Sequence, residues 1–230
     1  MEKLTPNQCS SKEYFDIHHK KKNISWRQNT MQSCRGILKT LNSDMRKHKI
    51  LDMGCGSGEF VKVCQEKGAD NVVGVDISIT GLKMAKGIGA GKLIIADQEN
   101  LPFKRNIFSH VLFLTSLEYS MHENNIQKAL NEARRVSEQR AFFYIETRNA
   151  DFILFKFFKI SRPARYANIS YYRWLELFKS AGLAIDKTWK SYKPIFPLCK
   201  FSVKTFVLNI VNFLSPTRYC YSVFYLCHKK

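Results

Sequence analysis

A chain of 230 residues with 45% hydrophobic side chains can bury one α/β core, which excludes a disordered segment or a disulfide-held miniature. Its net charge of +18 points toward anionic partners. The seven cysteines are odd in number and lack C-x-x-C spacing, so reduced thiols in a cytoplasmic setting are expected rather than a disulfide framework or a metal site.

In chain order, the polar start lacks the apolar h-region of a secretory signal. "WRQNTMQSCRGILKTLN" then shows helical spacing at Met31, Cys34, Ile37, Leu38 and Leu41. Elements alternate after that. "KILDM" (49–53) reads as a buried strand and "EFVKVCQEKG" as a helix stopped by Gly68; "NVVGVD" (71–76) is a strand, "ITGLKMAKG" a helix, and "KLIIAD" (92–97) a strand. "FSHVLFLTS" (108–116) is a fourth strand. "SMHE" (120–123) reads as a capping box opening a helix with Ile126, Leu130 and Ala133 on one face, and "RAFFYIET" (140–147) is a fifth strand. This alternation predicts a Rossmann-like, doubly wound, mostly parallel sheet with helices on both faces. Its functional residues belong beyond the carboxyl ends of the strands.

After residue 150 the pattern loosens. The segment at 148–172 holds Phe152, Phe155, Phe157, Phe158, Tyr166, Tyr171 and Tyr172, with Trp174 just beyond. "YYRWLELFKSAG" is an amphipathic helix ended by Gly182, "LAIDKTWK" a strand, "KFSVKTFVLNIVNFL" (200–214) a helix, and "RYCYSVFYLCHK" a closing strand. No uninterrupted apolar run approaches the roughly 20 residues of a spanning helix.

The charge divides unevenly. Residues 1–49 carry 11 basic and 4 acidic side chains, residues 50–150 carry 12 of each, and residues 151–230 carry 14 and 3. The basic flanks suit phosphates or an anionic membrane surface, or are plain solvated faces. In the C-terminal flank, lysines stand beside the apolar positions Phe206, Ile210, Phe213 and Leu214, so peripheral membrane contact competes there with ordinary packing onto the sheet.

The chemistry concentrates in "ILDMGCGSGEF" (50–60). Gly54, Gly56 and Gly58 at a strand-to-helix junction let a ligand approach bare backbone near helix N–H groups. The spacing is G-x-G-x-G, not the dinucleotide G-x-G-x-x-G, and Asp52 would repel a pyrophosphate while suiting a cationic ligand. Asp76 and Asp97 close the next two strands, Asp76 about where a ribose-binding carboxylate belongs.

Taken together, "ILDMGCGSGEF", "VVGVDIS" and "IIADQENLPF" resemble the class I S-adenosylmethionine-dependent methyltransferases, in the small-molecule branch called type 11. The resemblance is clear over residues 48 to about 147 and extends through "WLELFKSAGLAI". It implies a seven-stranded sheet with an antiparallel last strand, a methyltransferase domain over residues 48–230, and a helical, basic segment over residues 1–47 that covers the site. The segment at 148–172 would then be an acceptor-side cap, whose rings suit a lipophilic or aromatic acceptor if they are not core.

By the same resemblance, Gly54, Cys55, Gly56 and Gly58 pack against the methionine part of S-adenosylmethionine, with Asp52 near its ammonium. Asp76 holds the ribose hydroxyls, Ile77 lies against the adenine, and Asp97 with Gln98 meets the adenine amino group. Ser109 departs from the family, which places an acidic residue there. Glu118, Tyr119 and His122 are the candidate catalytic groups near the end of the fourth strand, although Glu118 or His122 could simply cap the next helix. His110 inside that strand reads as a core residue, and His18 and His19 as part of a solvated basic run or of a segment over the cofactor.

The expected activity is O-, N- or C-methylation of a small biosynthetic intermediate. RNA or protein methylation using the basic flanks, and a non-catalytic partner role, are the alternatives. The N/D-P-P-Y/F tetrapeptide of adenine N-methylation is missing from the end of the fourth strand, and so is a cytosine-C5-type nucleophilic cysteine.

Overall fold

The computed structural model describes residues 11–20, 24–41, 45–120, 122–152, 167–190, 216–219 and 221–230. Phe155, Phe157, Phe158 and Tyr166 of the expected cap, and Phe206, Ile210, Phe213 and Leu214 of the expected C-terminal face, lie outside them.

Two helices, α1 (Ser11–Lys20) and α2 (Ile24–Leu41), precede the alternating part. That part runs β1 (Ile50–Met53), α3 (Glu59–Glu66), β2 (Val72–Asp76), α4 (Ile79–Gly87), β3 (Lys92–Ile95), β4 (Phe108–Leu114), α5 (Glu123–Val136) and β5 (Ser137–Arg148). The chain ends with α6 (Tyr171–Ser180), β6 (Leu183–Lys190) and β7 (Ser222–Lys229). The seven strands form one sheet in the order β3-β2-β1-β4-β5-β7-β6. β1 to β5 pair in parallel, and β7 runs antiparallel to both β5 and β6. The expected sheet with an antiparallel last strand is therefore the observed one.

The strands bury both faces, so β1 and β4 read as continuous apolar runs rather than as alternation. One face carries α2, α3 and α4 around Leu38, Phe60, Val61, Leu82 and Ala85. The other carries α5 and α6 around Ile126, Leu130, Trp174 and Phe178. Phe152 and Trp174 are both fully buried, and Trp174 Nε1 donates to the Arg148 carbonyl at 3.2 Å. Of the aromatic residues expected over the acceptor, these two are core; Tyr171 packs against the core, while Tyr172 is exposed.

Two readings of the sequence need correction. The helix expected from a capping box at 120–123 begins at Glu123 with His122 as N-cap and no side-chain cap hydrogen bond. Ser120 instead ends a single 3₁₀ turn at Leu117–Tyr119, and its hydroxyl accepts from Gln98. The short turn uses Ser120, which the capping box would have needed. β3 stops at Ile95, two residues before Asp97, because Asp97 bridges to Asn100 in a tight turn. Among the described residues no helix is long and apolar enough to cross a membrane.

Candidate active site

The loop from β1 to α3 turns over the carboxyl end of the sheet. The Gly54 and Cys55 N–H groups both donate to the Val75 carbonyl at 2.9 Å, and Gly58 N–H donates to the Cys55 carbonyl at 2.9 Å. Gly54, Gly56 and Gly58 all have positive φ (75°, 55° and 78°), the region that favours glycine. Two of the three also have a packing reason to be bare. A Cβ on Gly54 would stand 2.5 Å from Ser116 Cβ, and one on Gly58 would stand 2.5 Å from Ala85 Cβ. Ser116, just past β4, donates its hydroxyl to the Met53 carbonyl at 2.7 Å and so ties two strand ends together.

Gly56 serves the site through its N–H, which donates to Asp76 Oδ2 at 2.7 Å. The other oxygen of Asp76 accepts from Ser78 N–H at 2.8 Å. Two backbone donors thus fix the plane of this carboxylate at the end of β2. Asp52 lies beside it and is only 2% exposed. Burial, reinforced by the charges of Asp76 and Glu59, pushes the Asp52 carboxyl up to about 8. The same burial and the same three acids raise the Cys55 thiol well above its ordinary value. Glu59, the first residue of α3, accepts from Ser57 Oγ at 2.8 Å and has Arg27 Nε of α2 at 3.6 Å. A desolvated group of three carboxylates favours a cationic ligand, which would draw Asp52 back to its charged form. The ammonium and sulfonium of S-adenosylmethionine fit this donor set. A pyrophosphate does not.

The N-terminal helix α1 roofs this end of the sheet. Asp16 Oδ1 accepts from Ser78 Oγ at 2.6 Å and from Thr80 N–H at 2.9 Å at the start of α4, while Ser78 Oγ accepts from Gly81 N–H at 3.0 Å. Burial acts to raise Asp16, but these hydrogen bonds outweigh it and hold the carboxyl below its ordinary value. His19 is buried at 4% exposure, so the solvated-run reading does not apply to it. Its ring lies against Gly81, where a Cβ would meet it at 2.9 Å. Phe15 stands edge-on to Tyr119 with ring centroids 5.1 Å apart, and His18 is 6.5 Å from the same ring.

The remaining expected residues are spread around this centre. Ile77 is half-buried beside Asp76. Asp97 is exposed and accepts from Glu99 N–H at 2.9 Å, while Gln98 Nε2 donates to Ser120 Oγ at 2.6 Å. Glu118 is fully buried with Arg148 Nε 3.8 Å from its carboxylate, so it faces the β5 end rather than solvent. Tyr119 is half-buried under α1, and His122 is exposed at the start of α5. His110 is buried inside β4, against His48 at 4.1 Å between ring centroids. Ser109 lies at the opposite, amino end of β4, where its hydroxyl accepts from Lys49 N–H at 3.1 Å. Its departure from the family pattern therefore falls far along the strand from the acid cluster.

Sequence reasoning missed Asp16, Arg27, Glu59, Ser78 and Ser116. Glu59 and Ser78 directly follow motif residues and were open to inspection. Asp16 and Arg27 reach the site only through the packing of α1 and α2, for which local sequence holds no signal.

The geometry agrees with what the chain is similar to. A family model described as "Methyltransferase domain" matches residues 51–145. The uncharacterized protein MJ1123 of Methanocaldococcus jannaschii is 31% identical over 175 residues, covering 73% of this chain and 80% of the relative. MJ1252 of the same organism is 33% identical over 100 residues, covering 44% of this chain and only 37% of that relative's length. Among solved structures, the PH0226 protein of Pyrococcus horikoshii superposes with a TM-score of 0.69 at 19% identity, covering 96% of this chain and 100% of that one. An S-adenosylmethionine-dependent methyltransferase of Mesorhizobium loti gives 0.62 at 14% identity, covering 84% and 96%. At these identities the structural likenesses speak for the fold.

Proposed function

Because the chain belongs to the class I S-adenosylmethionine-dependent methyltransferases, we propose that it methylates a small acceptor with aromatic or lipophilic character. The observation that carries this reading is the roof over the carboxyl end of the sheet. α1 is latched to α4 through Asp16, and it sets Phe15 and His18 against Tyr119. A site closed by a packed helix and lined by rings favours a compact, apolar acceptor over a wide polymer groove.

S-adenosylmethionine supplies a methyl group already activated on sulfur, so the protein's task is orientation and exclusion of water. In this reading Asp76, held by Gly56 and Ser78, would take the ribose hydroxyls, and Asp52 with the Gly54–Gly58 loop would take the cationic amino-acid end. Ile77 would lie along the adenine, with Asp97 and Gln98 holding its edge. Where the acceptor carries a proton, Tyr119 and His122 are the candidates to receive it. Glu118 is engaged with Arg148, so its role is to position the β4 and β5 ends.

Relatives whose names state an acceptor differ among themselves. One, from Hamiltonella defensa, is a malonyl-[acyl-carrier protein] O-methyltransferase; another, from Arabidopsis thaliana, is a tRNA (carboxymethyluridine(34)-5-O)-methyltransferase. The deciding experiment supplies methyl-labelled S-adenosylmethionine with separate metabolite, RNA and protein fractions. Label in a solvent-extractable small product is expected. Label in the RNA or protein fraction alone overturns the small-acceptor reading.

A further inference from the structure

The opposite end of the sheet holds a second feature, remote from the methyl-transfer site. The approach to β4, the last turn of α5, the start of β5 and the end of β7 surround an open cavity of about 610 Å³. Its lining includes Arg105, Arg134, Arg135, Lys229 and the amides of Asn131 and Gln139, with Glu132 as the acid.

That acid is already engaged. Arg135 Nε donates to Glu132 Oε1 at 2.6 Å and its Nη2 to Oε2 at 2.7 Å; the same guanidinium caps the carbonyls of Phe103 and Leu101 at 2.8 and 3.0 Å. Lys229 Nζ donates to the carbonyls of Arg134 and Ser137 at 3.1 and 3.0 Å, which answers the negative end of the α5 dipole. The hydrogen bonds of Arg135 chiefly hold the Glu132 carboxyl below its ordinary value and Arg105 adds only its charge, which leaves the hydrogen-bonding capacity of Arg105 and Arg134. Neither makes a side-chain hydrogen bond or an ion pair among the described residues. Burial first, and then the positive charges of Arg134 and Arg105, lower the proton affinity of Lys229. The cavity thus keeps an uncompensated positive field. The Arg134 guanidinium also lies against the bare backbone of Gly182, where a Cβ would stand 3.0 Å from Nε.

We propose that this cavity is a binding site for the phosphate group of a soluble phosphorylated ligand, gripped by the guanidiniums of Arg105 and Arg134 with Asn131 and Gln139 as neutral donors. Guanidinium pairs with phosphate through charge-assisted, often bidentate, hydrogen bonds. Two such forks beside two amides match the several oxygens of a phosphoester better than a single carboxylate. The site is separate from the cofactor end, so its occupant is a second ligand and not the methyl donor.

The test is calorimetric titration of the full chain with inorganic pyrophosphate at low salt, comparing wild type with R105Q, R134Q and the double variant. Each single change is expected to weaken binding by about tenfold or more, since each removes charge-assisted contacts. Binding is also expected to fade as salt rises. S-adenosylmethionine binding, measured on the same samples, is expected to stay unchanged. No heat with wild type, or equal affinity in the double variant, overturns the site. Single-stranded RNA and phosphatidylserine vesicles, offered at equal phosphate, decide the source. If neither displaces pyrophosphate, the soluble ligand stands, whereas displacement by either one overturns that source and assigns the two arginines to that polyanion. Loss of S-adenosylmethionine binding in wild type would instead count against the methyltransferase reading alone.

Discussion

The two ends of the sheet solve opposite electrostatic problems. At the carboxyl end, Asp52, Asp76 and Glu59 crowd together in a desolvated loop, and Asp52 is pushed up to about 8. At the amino end, Arg105, Arg134 and Lys229 crowd together, and Lys229 is pushed down. In each case like charges are gathered at a cost to the ligand-free fold, and Asp52 at one end and Lys229 at the other are shifted toward their neutral forms. A cluster retained against its own repulsion invites a ligand of opposite sign: a sulfonium and ammonium at one end, a phosphate at the other.

The sharpest way to break the comparison is to disturb the scaffold of the acidic end. Gly58→Val puts a side chain at a φ of 78° where a Cβ already stands 2.5 Å from Ala85 Cβ. Strain and overpacking together should cost about 3 kcal/mol or more. Urea unfolding checks this, and near-wild-type stability would show that the loop is not clamped to α4.

Next in size is Asp76→Ala. S-adenosylmethionine binding should weaken by about 1.5–3 kcal/mol, because charge-assisted hydrogen bonds to the ribose are lost. An unchanged dissociation constant in calorimetry would remove Asp76 from the cofactor site.

A third prediction turns on pH. The folded value of Asp52, about 8, lies above its ordinary value of 3.8, so the native state holds that proton more tightly. Its contribution to stability is full below pH 3.8 and is lost as pH rises toward 8. Asp52→Asn should flatten that alkaline decline and raise the melting temperature of the ligand-free protein at pH 8 by about 2–4 °C. A variant that melts with the wild-type pH slope refutes the assignment.

The smallest effect belongs to the amino end. Burial, with His48 adding to it, lowers His110 to about 4 from 6.5. This group's contribution is present above pH 6.5 and is lost as pH falls toward 4, the reverse of Asp52. His110→Phe should therefore soften the acid-side loss, with cavity and stacking changes adding only an offset that does not vary with pH. Thermal melts between pH 4 and 7 compare the two slopes. Parallel slopes in the wild type and this variant would show that the histidine does not report on its end of the sheet.

Much of the active-site end was legible residue by residue. Gly54, Asp52 and Asp76 carry their positions in local pattern, since a glycine cluster after an apolar run and an acid ending one have few other uses. The element order was legible for the same reason, with hydrophobic period and turn residues marking every strand from β1 to β5. The start of α5 was less so: Ser120 and Glu123 have the spacing of a capping box, but the 3₁₀ turn at Leu117–Tyr119 claims Ser120, and no propensity separates the two outcomes. Asp16 could not have been placed at all, since its partners Ser78 and Thr80 lie more than sixty residues away.

What the sequence determined by itself is the resemblance to the family, the alternation of elements that makes the sheet mostly parallel, and where β1 and β2 end, whereas β3 stops two residues short of its expected end. What only the tertiary structure decided is how charge is distributed. Residues 50–150 carry 12 basic and 12 acidic side chains and look neutral in the chain. Parallel pairing points every strand from β1 to β5 the same way, so all their carboxyl ends meet at one edge and all their amino ends at the other. Antiparallel β7 then returns Lys229 to the amino edge beside Arg134, ninety-five residues earlier in the chain. The fold thereby gathers an acid cluster at one end of the sheet and a basic cavity at the other, because strand direction collects residues that sequence distance keeps apart.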